Sequence, residues 1–354
     1  MKIVFMGTPQ FSVPILEKIL EKHQVVLVVT QPDQYNYRKK VLLPSPVKEC
    51  ALKHNLEVFQ PEKIRKDNNK IFEKEVDLIV TAAYGQLIPE KILNYPKYRS
   101  INVHGSLLPK YRGGAPIQRA IINGEEKTGI TIMYMEKQMD SGDILERKEL
   151  PILDSDNQET VFNKLSILGS EMILPVIEKL EKGEISPIKQ NESEVTFAYN
   201  LTKDDEKINF NNDARMVFNQ IRGLNPNPGG YFIIDNLVIK VYNSIVSNEK
   251  HNQDAGIICG IHKDRFDITC GNKTVISILE LQLPSKNRMS ARDFINGQGK
   301  KILALGKKIG EWDYGRNEKN LFFTWRNVWN ESWPFIRAWS YNWRYSSDCF
   351  PSTR

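Results

Sequence analysis

No tryptophan occurs in the first 309 residues of this 354-residue chain, yet six follow within residues 310–354. Cysteine is also scarce. Cys50, Cys259, Cys270 and Cys349 make no C-x-x-C pair, so the sequence offers neither a zinc ribbon nor a disulfide framework and points to a reducing, cytoplasmic setting. There are five histidines and no H-x-H pattern, so no metal is expected. No unbroken apolar run approaches the roughly 20 residues of a membrane span. The opening MKIVFMG reads as a strand running into a loop rather than a signal peptide. No G-x-G-x-x-G follows that strand, since Gly7 stands alone, which removes the usual dinucleotide fingerprint.

Charge is present but unevenly placed. Residues 1–204 carry 28 Lys+Arg and 28 Asp+Glu, whereas residues 205–309 carry 15 and 10. A basic excess confined to one region fits a polyanion partner there, and also fits ordinary lysine-rich solubility. Residues 1–185 alternate short β-branched runs (Lys2–Met6, Gln24–Thr30, Asp77–Thr81, Ser100–Val103) with helical patterns, the signature of an α/β doubly wound, mostly parallel, Rossmann-like sheet. An amphipathic pattern over Glu159–Lys182 predicts the helix that closes this unit, and residues 186–204 read as a polar linker. Short strands near Leu237–Ser244, Ala255–Gly260, Phe266–Cys270 and Thr274–Leu283 then predict a small OB-like β-barrel over residues 205–309.

One stretch organises the rest: SINVHGSLLPKYRGGAP, Ser100–Pro116. Alternation along its strand puts Asn102 and His104 on the same face, so an amide and an imidazole leave the strand end together. Leu107, Leu108 and Pro109 can wall a slot for a flat ligand, and Arg112-Gly113-Gly114 lets the backbone approach a neighbour closely. Taken alone, N-x-H is an ordinary strand end and D-S-G-D at 140–143 an ordinary turn. Asn102, His104 and Asp140 nevertheless all follow carboxyl ends of strands, where doubly wound sheets bind their ligands, so they can converge.

N-V-H-G-S-L-L-P with R-G-G-A-P resembles the signature of the folate-dependent formyltransferases, and Met139–Asp143 is similar to that family's M-D-x-G-D element. The resemblance implies Asn102, His104 and Asp140 as catalytic residues. It implies a folate pocket formed by Ser106, Leu107, Leu108 and Pro109 with Gly85, Gln86 and Leu87 of the loop AAYGQLIP. Residues 31–48 begin Q-P-D and end P-S-P-V-K, as in the methionyl-tRNA formyltransferases, where this loop enters the tRNA acceptor stem. By that resemblance Arg38, Lys39 and Lys40 are the tRNA contacts. Tyr35-Asn36-Tyr37 departs from the family's Pro-Ala-Gly-like run. N-P-N-P-G-G at 225–230 is similar to the family's N-P-W-P-G, with Asn227 in place of the tryptophan.

The resemblance implies formyl transfer from 10-formyltetrahydrofolate to initiator methionyl-tRNA by a monomeric enzyme that needs neither metal nor membrane. Asn102 would hold an oxyanion, His104 act as general base and Asp140 orient and charge-support His104. Related readings are a formyltransferase acting on a nucleotide sugar or on glycinamide ribonucleotide, a formyltetrahydrofolate hydrolase, and a non-catalytic RNA-binding relative. Residues 310–354 fall outside the resemblance. Trp325, Trp329 and Trp333 at i, i+4, i+8 fit one helix face for a membrane surface or partner. An appended segment is the preferred expectation for this tail.

Overall fold

The computed structural model describes residues 1–36 and 40–310, so Tyr37, Arg38, Lys39 and the tryptophan-bearing tail lie outside the described residues. The first sheet is built from β1 (Lys2–Gly7), β2 (Gln24–Val29), β5 (Val58–Phe59), β6 (Leu78–Ala82), β7 (Ser100–His104), β8 (Lys127–Tyr134) and β9 (Ile144–Pro151). Its order is β5-β2-β1-β6-β7-β8-β9. The pairings from β5 to β7 are parallel, and β8 and β9 add antiparallel strands at the edge.

Period-two alternation divides β1 between two cores. Ile3 and Phe5 join the layer under α1 (Val13–Leu20) and α6 (Gln158–Lys182), while Val4 and Met6 pack with Ile64, Ile71 and Ile92 on the other face. Such burial on both faces explains why these strands read as continuous apolar runs. From β1 the chain winds outward through β2 and β5, then returns to β6 on the opposite flank of β1. The switch point lies between β1 and β6, and β7 is the next strand along.

α6 starts on an Asn157–Thr160 capping box and stops at Gly183, whose φ of +70° suits a residue without Cβ. By length and mean hydropathy this 25-residue helix could cross a membrane, although polar and charged residues interrupt it throughout, in keeping with the expectation that no unbroken apolar run is that long. Its apolar face instead packs into the core, with Val161, Leu165, Ile173, Val176 and Ile177 buried. A Cβ on Gly169 would lie 3.0 Å from Val103 and 3.3 Å from Ile15, so glycine lets the helix settle directly on β7.

Among the described residues, 31–48 hold more regular structure than their composition suggests. β3 (Gln34–Asn36) and β4 (Val41–Leu43) form an antiparallel hairpin with Lys40 exposed at its turn. The polar linker is likewise no loose tether. Arg112 N donates to Thr196 O (2.9 Å), Ala115 N to Ala198 O (3.0 Å) and Ala198 N to Arg112 O (2.7 Å). The close neighbour that Gly113 admits is this linker: a Cβ there would lie 2.7 Å from Ala198 O.

After α7 (Lys203–Glu206) and α8 (Ala214–Leu224), the second sheet runs β10 (Gly230–Ile234), β11 (Leu237–Lys250), β14 (Thr274–Gln282), β13 (Phe266–Thr269), β12 (Ile258–Ile261). All its pairings are antiparallel, and β15 (Met289–Ser290) adds to β14. β11 lies between β10 and β14, with Lys240 and Val241 pairing on both sides, and register shifts mark its ladder to β14. β10 is absent from the sequence reading, hidden behind N-P-N-P-G-G. Near that turn, Asn225 Nδ2 donates to Tyr242 O (2.8 Å), and Arg288 lies over the Tyr242 ring at 3.6 Å. α5 (Pro116–Ile122) joins the halves by packing on α8. A Cβ on Gly223 would sit 2.7 Å from Ile122, and Arg119 grips Asp205 in a bidentate pair at 2.6 and 2.9 Å.

Candidate active site

β6 and β7 run in parallel register with Thr81 opposite Asn102. The Thr81 hydroxyl, near the end of a buried strand, donates to Asn102 Oδ1 at 2.7 Å. With Oδ1 on the Thr81 hydroxyl, which also lies 3.2 Å from Ile101 O, the Asn102 NH₂ is turned away from Thr81. The sequence reading passed over Thr81; its place at the carboxyl end of a strand next to Asn102 was the available signal.

Two residues on, His104 is 6% exposed. Its Nε2 lies 3.0 Å from Tyr111 O. A carbonyl only accepts, so Nε2 carries the proton and Nδ1 is the basic nitrogen in the neutral ring. Tyr111 is positioned for this by a φ of +62° and by its N–H, which donates to Thr196 Oγ1 at 2.9 Å. Its own hydroxyl donates to Glu125, and burial together with that carboxylate pushes its pKa up to about 12, so it stays protonated.

Nδ1 faces Asp140 Oδ2 at 3.8 Å. That distance suits an ion pair with a protonated ring but exceeds a hydrogen bond. Ring orientation therefore comes from Tyr111 O, and Asp140 supplies charge. The same Asp140 oxygen accepts from Gly113 N at 2.8 Å, while Asp140 itself adopts φ +52°. The structure thus brings Asp140 to His104 and Asn102 at the carboxyl end of β7, but not from a neighbouring carboxyl end. β8 runs antiparallel, Tyr134 at its end lies opposite Ile101, and the loop after β8 folds back to place Asp140, which corrects the expectation that all three share one carboxyl edge.

The residues singled out for the folate pocket divide into two kinds. Ser106 is fully buried and donates to Lys110 O at 2.7 Å, closing the turn of the signature loop. Leu108 is fully buried with Met133 and Ile144, and its N–H donates to Thr131 Oγ1 at 3.1 Å. Its carbonyl accepts from Arg147, and Pro109 beside it is buried too. These three anchor the loop on which Leu107 is carried. Leu107 is half-buried, close against the place a Gly129 Cβ would occupy. In the neighbouring loop Gly85 has φ +88°, Leu87 is exposed, and Gln86 accepts from Ile64 N and donates to Gln31 Oε1 and Pro61 O. Gln86 therefore ties its loop to residues 61–64.

Of the three basic residues assigned to tRNA, Lys40 is exposed at the hairpin turn, and Arg38 and Lys39 lie outside the described residues. Tyr35, Val41 and Leu42 are 46%, 45% and 63% exposed, so the hairpin carries apolar as well as basic side chains outward. Away from this site, Glu17, Cys50 and His54 hold ligand atoms within 4.8 Å of one another on the α1 surface and α2 (Pro46–Lys53). They form the candidate metal-ligand group among the described residues, one that residue spacing did not reveal.

Comparison with known proteins agrees with the geometry. A formyl transferase family model matches residues 1–177, and a formyl transferase C-terminal domain model matches residues 200–299. A methionyl-tRNA formyltransferase of Bacillus thuringiensis subsp. konkukian (strain 97-27) is 47% identical over 313 residues, which is 88% of this chain and 99% of that protein. Among solved structures, WlaRD, a sugar 3N-formyl transferase described with dTDP and 5-N-formyl-THF, superposes with a TM-score of 0.61 at 21% identity. It covers 81% of this chain and 99% of its own, a likeness of fold. An N-formyltransferase from Helicobacter canadensis gives the same TM-score at 20% identity, over 78% of this chain and 98% of its own. With both domain models matched in order and a relative aligned almost end to end, the chain belongs to the methionyl-tRNA formyltransferase family of folate-dependent formyltransferases.

Proposed function

We propose that this chain transfers the formyl group of 10-formyltetrahydrofolate to the α-amino group of methionyl initiator tRNA, in the cytoplasm and as a monomer, for translation initiation. The observation that carries the reading is the disposition of Asn102 and His104. One amide has its oxygen committed to Thr81 and its NH₂ available, beside an imidazole whose Nε2 is committed and whose Nδ1 faces Asp140. The amine nitrogen attacks the formyl carbon. Negative charge then develops on the formyl oxygen, where the Asn102 NH₂ is a preorganised donor. His104 Nδ1 takes the proton that the amine sheds, and Asp140 stabilises the imidazolium. As the bond from carbon to folate nitrogen breaks, that proton is available to the departing nitrogen.

Residues 1–185 form the catalytic domain in this reading, 186–204 the linker and 205–309 a tRNA-binding domain. The preference for tRNA over a nucleotide sugar rests on 47% identity across a methionyl-tRNA formyltransferase, against 21% for the sugar enzyme. The exposed hairpin adds to it: Tyr35 can stack on bases, while Arg38, Lys39 and Lys40 meet phosphates. Leu107 and the loop carrying Gly85, Gln86 and Leu87 would flank the folate ring, with Ser106, Leu108 and Pro109 holding that wall in place.

The test incubates the chain with 10-formyltetrahydrofolate and each acceptor in turn, following folate absorbance. Turnover is expected with methionyl-tRNA and not with an amino-sugar nucleotide, glycinamide ribonucleotide or water alone. Arg38→Ala should lower kcat/KM for methionyl-tRNA by about 10-fold or more while folate binding stays unchanged, the size of roughly one to two lost charge-assisted contacts. Turnover with the sugar nucleotide alone would overturn the reading.

A further inference from the structure

The chemistry above leaves a buried amide in the linker without a task. Gln190 Nε2 donates to two carbonyls of the loop after β8, Asp140 O and Gly142 O, both at 2.8 Å. Its Oε1 accepts from Arg112 Nε at 3.0 Å and Nη2 at 2.8 Å. Carbonyls only accept and a guanidinium only donates, so the amide fits in one orientation. Arg112, 1% exposed, belongs to the signature loop and reaches past Gln190 to Glu192.

The loop so held needs holding. Asp140 has φ +52°, a conformation L-residues disfavour, and at Gly142 a Cβ would overlap Tyr134 O. The only side-chain donor to either carbonyl, among the described residues, is Gln190.

We propose that Gln190 is a positioning residue for formyl transfer: its two N–H bonds keep the 140–142 turn in place, and with it the carboxylate that stands 3.8 Å from His104. The interdomain segment is thereby part of the active site rather than a tether. This rests on the reading that Asp140 supports His104.

Gln190→Glu in the full chain separates fastening from positioning. A glutamate keeps the volume and the acceptors for Arg112 but cannot donate to the two carbonyls. The expected result is a kcat about 10–100-fold lower, the scale of a slightly misplaced catalytic group, with KM for both substrates within about 2-fold. Its melting temperature should stay near that of the parent chain. Combined with Asp140→Asn it should add little further loss, because both changes remove one interaction.

A full kcat in Gln190→Glu beside a crippled Asp140→Asn overturns the proposal and leaves Gln190 a fastener. Additive losses in the double variant overturn it as well. An active Asp140→Asn instead removes the premise about Asp140. Should Gln190→Glu not fold, Gln190→Met, equal in length and neutral, carries the same test with the same two outcomes.

Discussion

Two histidine–aspartate pairs, one in each half of the chain, show how differently the same residue types are used. In the second sheet His262 Nε2 and Asp267 Oδ2 are 2.7 Å apart, and Asp267 Oδ1 accepts from Ser277 at 2.6 Å. Arg265 stands 3.8 Å from that carboxylate, and the aspartate side chain is 5% exposed. A Cβ on Gly260 would come within 2.9 Å of both partners, so glycine admits the pair, whose aspartate is buried while the His262 side chain stays 37% exposed. The first pair looks weaker by distance, since His104 Nδ1 and Asp140 Oδ2 are 3.8 Å apart. Its Nε2 is spent on a carbonyl, Tyr111 O, its Nδ1 faces the carboxylate, and the preset Asn102 amide lies two residues away on the same face. In the second pair the aspartate bonds the ring directly and spends its other oxygen on Ser277, which ties two strands of the sheet together. A ring held by a carbonyl beside a preset amide donor is arranged for chemistry, and a ring held by a carboxylate within a strand network for scaffolding.

The comparison breaks most readily at the histidines. His104→Ala should lower the rate of formyl transfer by about 10²–10⁴-fold, and Asn102→Ala by about 10²–10³-fold. His262→Ala should leave turnover within about 2-fold, because His262 belongs to the second sheet and not to the group around Asn102 and Asp140. Steady-state rates with methionyl-tRNA decide it. Comparable losses at His104 and His262 would mean that the second pair is not scaffolding.

The aspartates sharpen the same contrast by trading activity against stability. Asp140→Asn preserves volume and the bond from Gly113 but removes the charge facing Nδ1, so a loss of about 10²-fold is expected with little change in melting temperature. Asp267→Asn should do the opposite. It weakens charge-assisted bonds in a buried site, worth about 1.5–3 kcal/mol, and should lower the melting temperature while kcat persists. Thermal denaturation and kinetics on both variants would reverse the assignment if the effects changed places.

Much of this was legible before any coordinates. β-branched runs buried on both faces announced the parallel sheet, and alternation alone put Asn102 and His104 on one face. What escaped was whatever depends on contacts far apart in sequence. Gln190 lies in a polar stretch without period or motif, and its role appears only once the chain folds back on Arg112 and Asp140. Tyr111 acts through a carbonyl, which carries no residue identity to read. Ser106 and Leu108 look like pocket lining in a linear motif, and what that motif does not show is that both side chains are fully buried and brace the loop. The 31–48 hairpin was hidden because strands of three residues are too short to show a period.

A third acid–base pair joins the halves that hold the other two, and it should give the smallest effect. Arg119 on α5 meets Asp205 on α7 through two hydrogen bonds, and Thr202 N donates to the same carboxylate at 2.7 Å. Burial alone would raise the Asp205 pKa, but the bonds from Arg119 and Thr202 outweigh it and the net shift is downward. A carboxylate lowered on folding stabilises the native state above its unfolded pKa of about 3.9, and that contribution fades as pH falls through the lower folded value. At pH 7, Asp205→Asn should therefore cost about 1 kcal/mol, a modest figure because the pair is partly open to solvent. The deficit relative to the parent chain should shrink below about pH 4 and vanish once Asp205 is protonated in the folded and unfolded chain alike. Melting temperatures of the two proteins from pH 7 down to pH 3 test this directly. A gap that stays constant across that range would show that Asp205 acts by shape rather than charge. Since neither histidine pair touches this joint, kcat should stay within about 2-fold throughout.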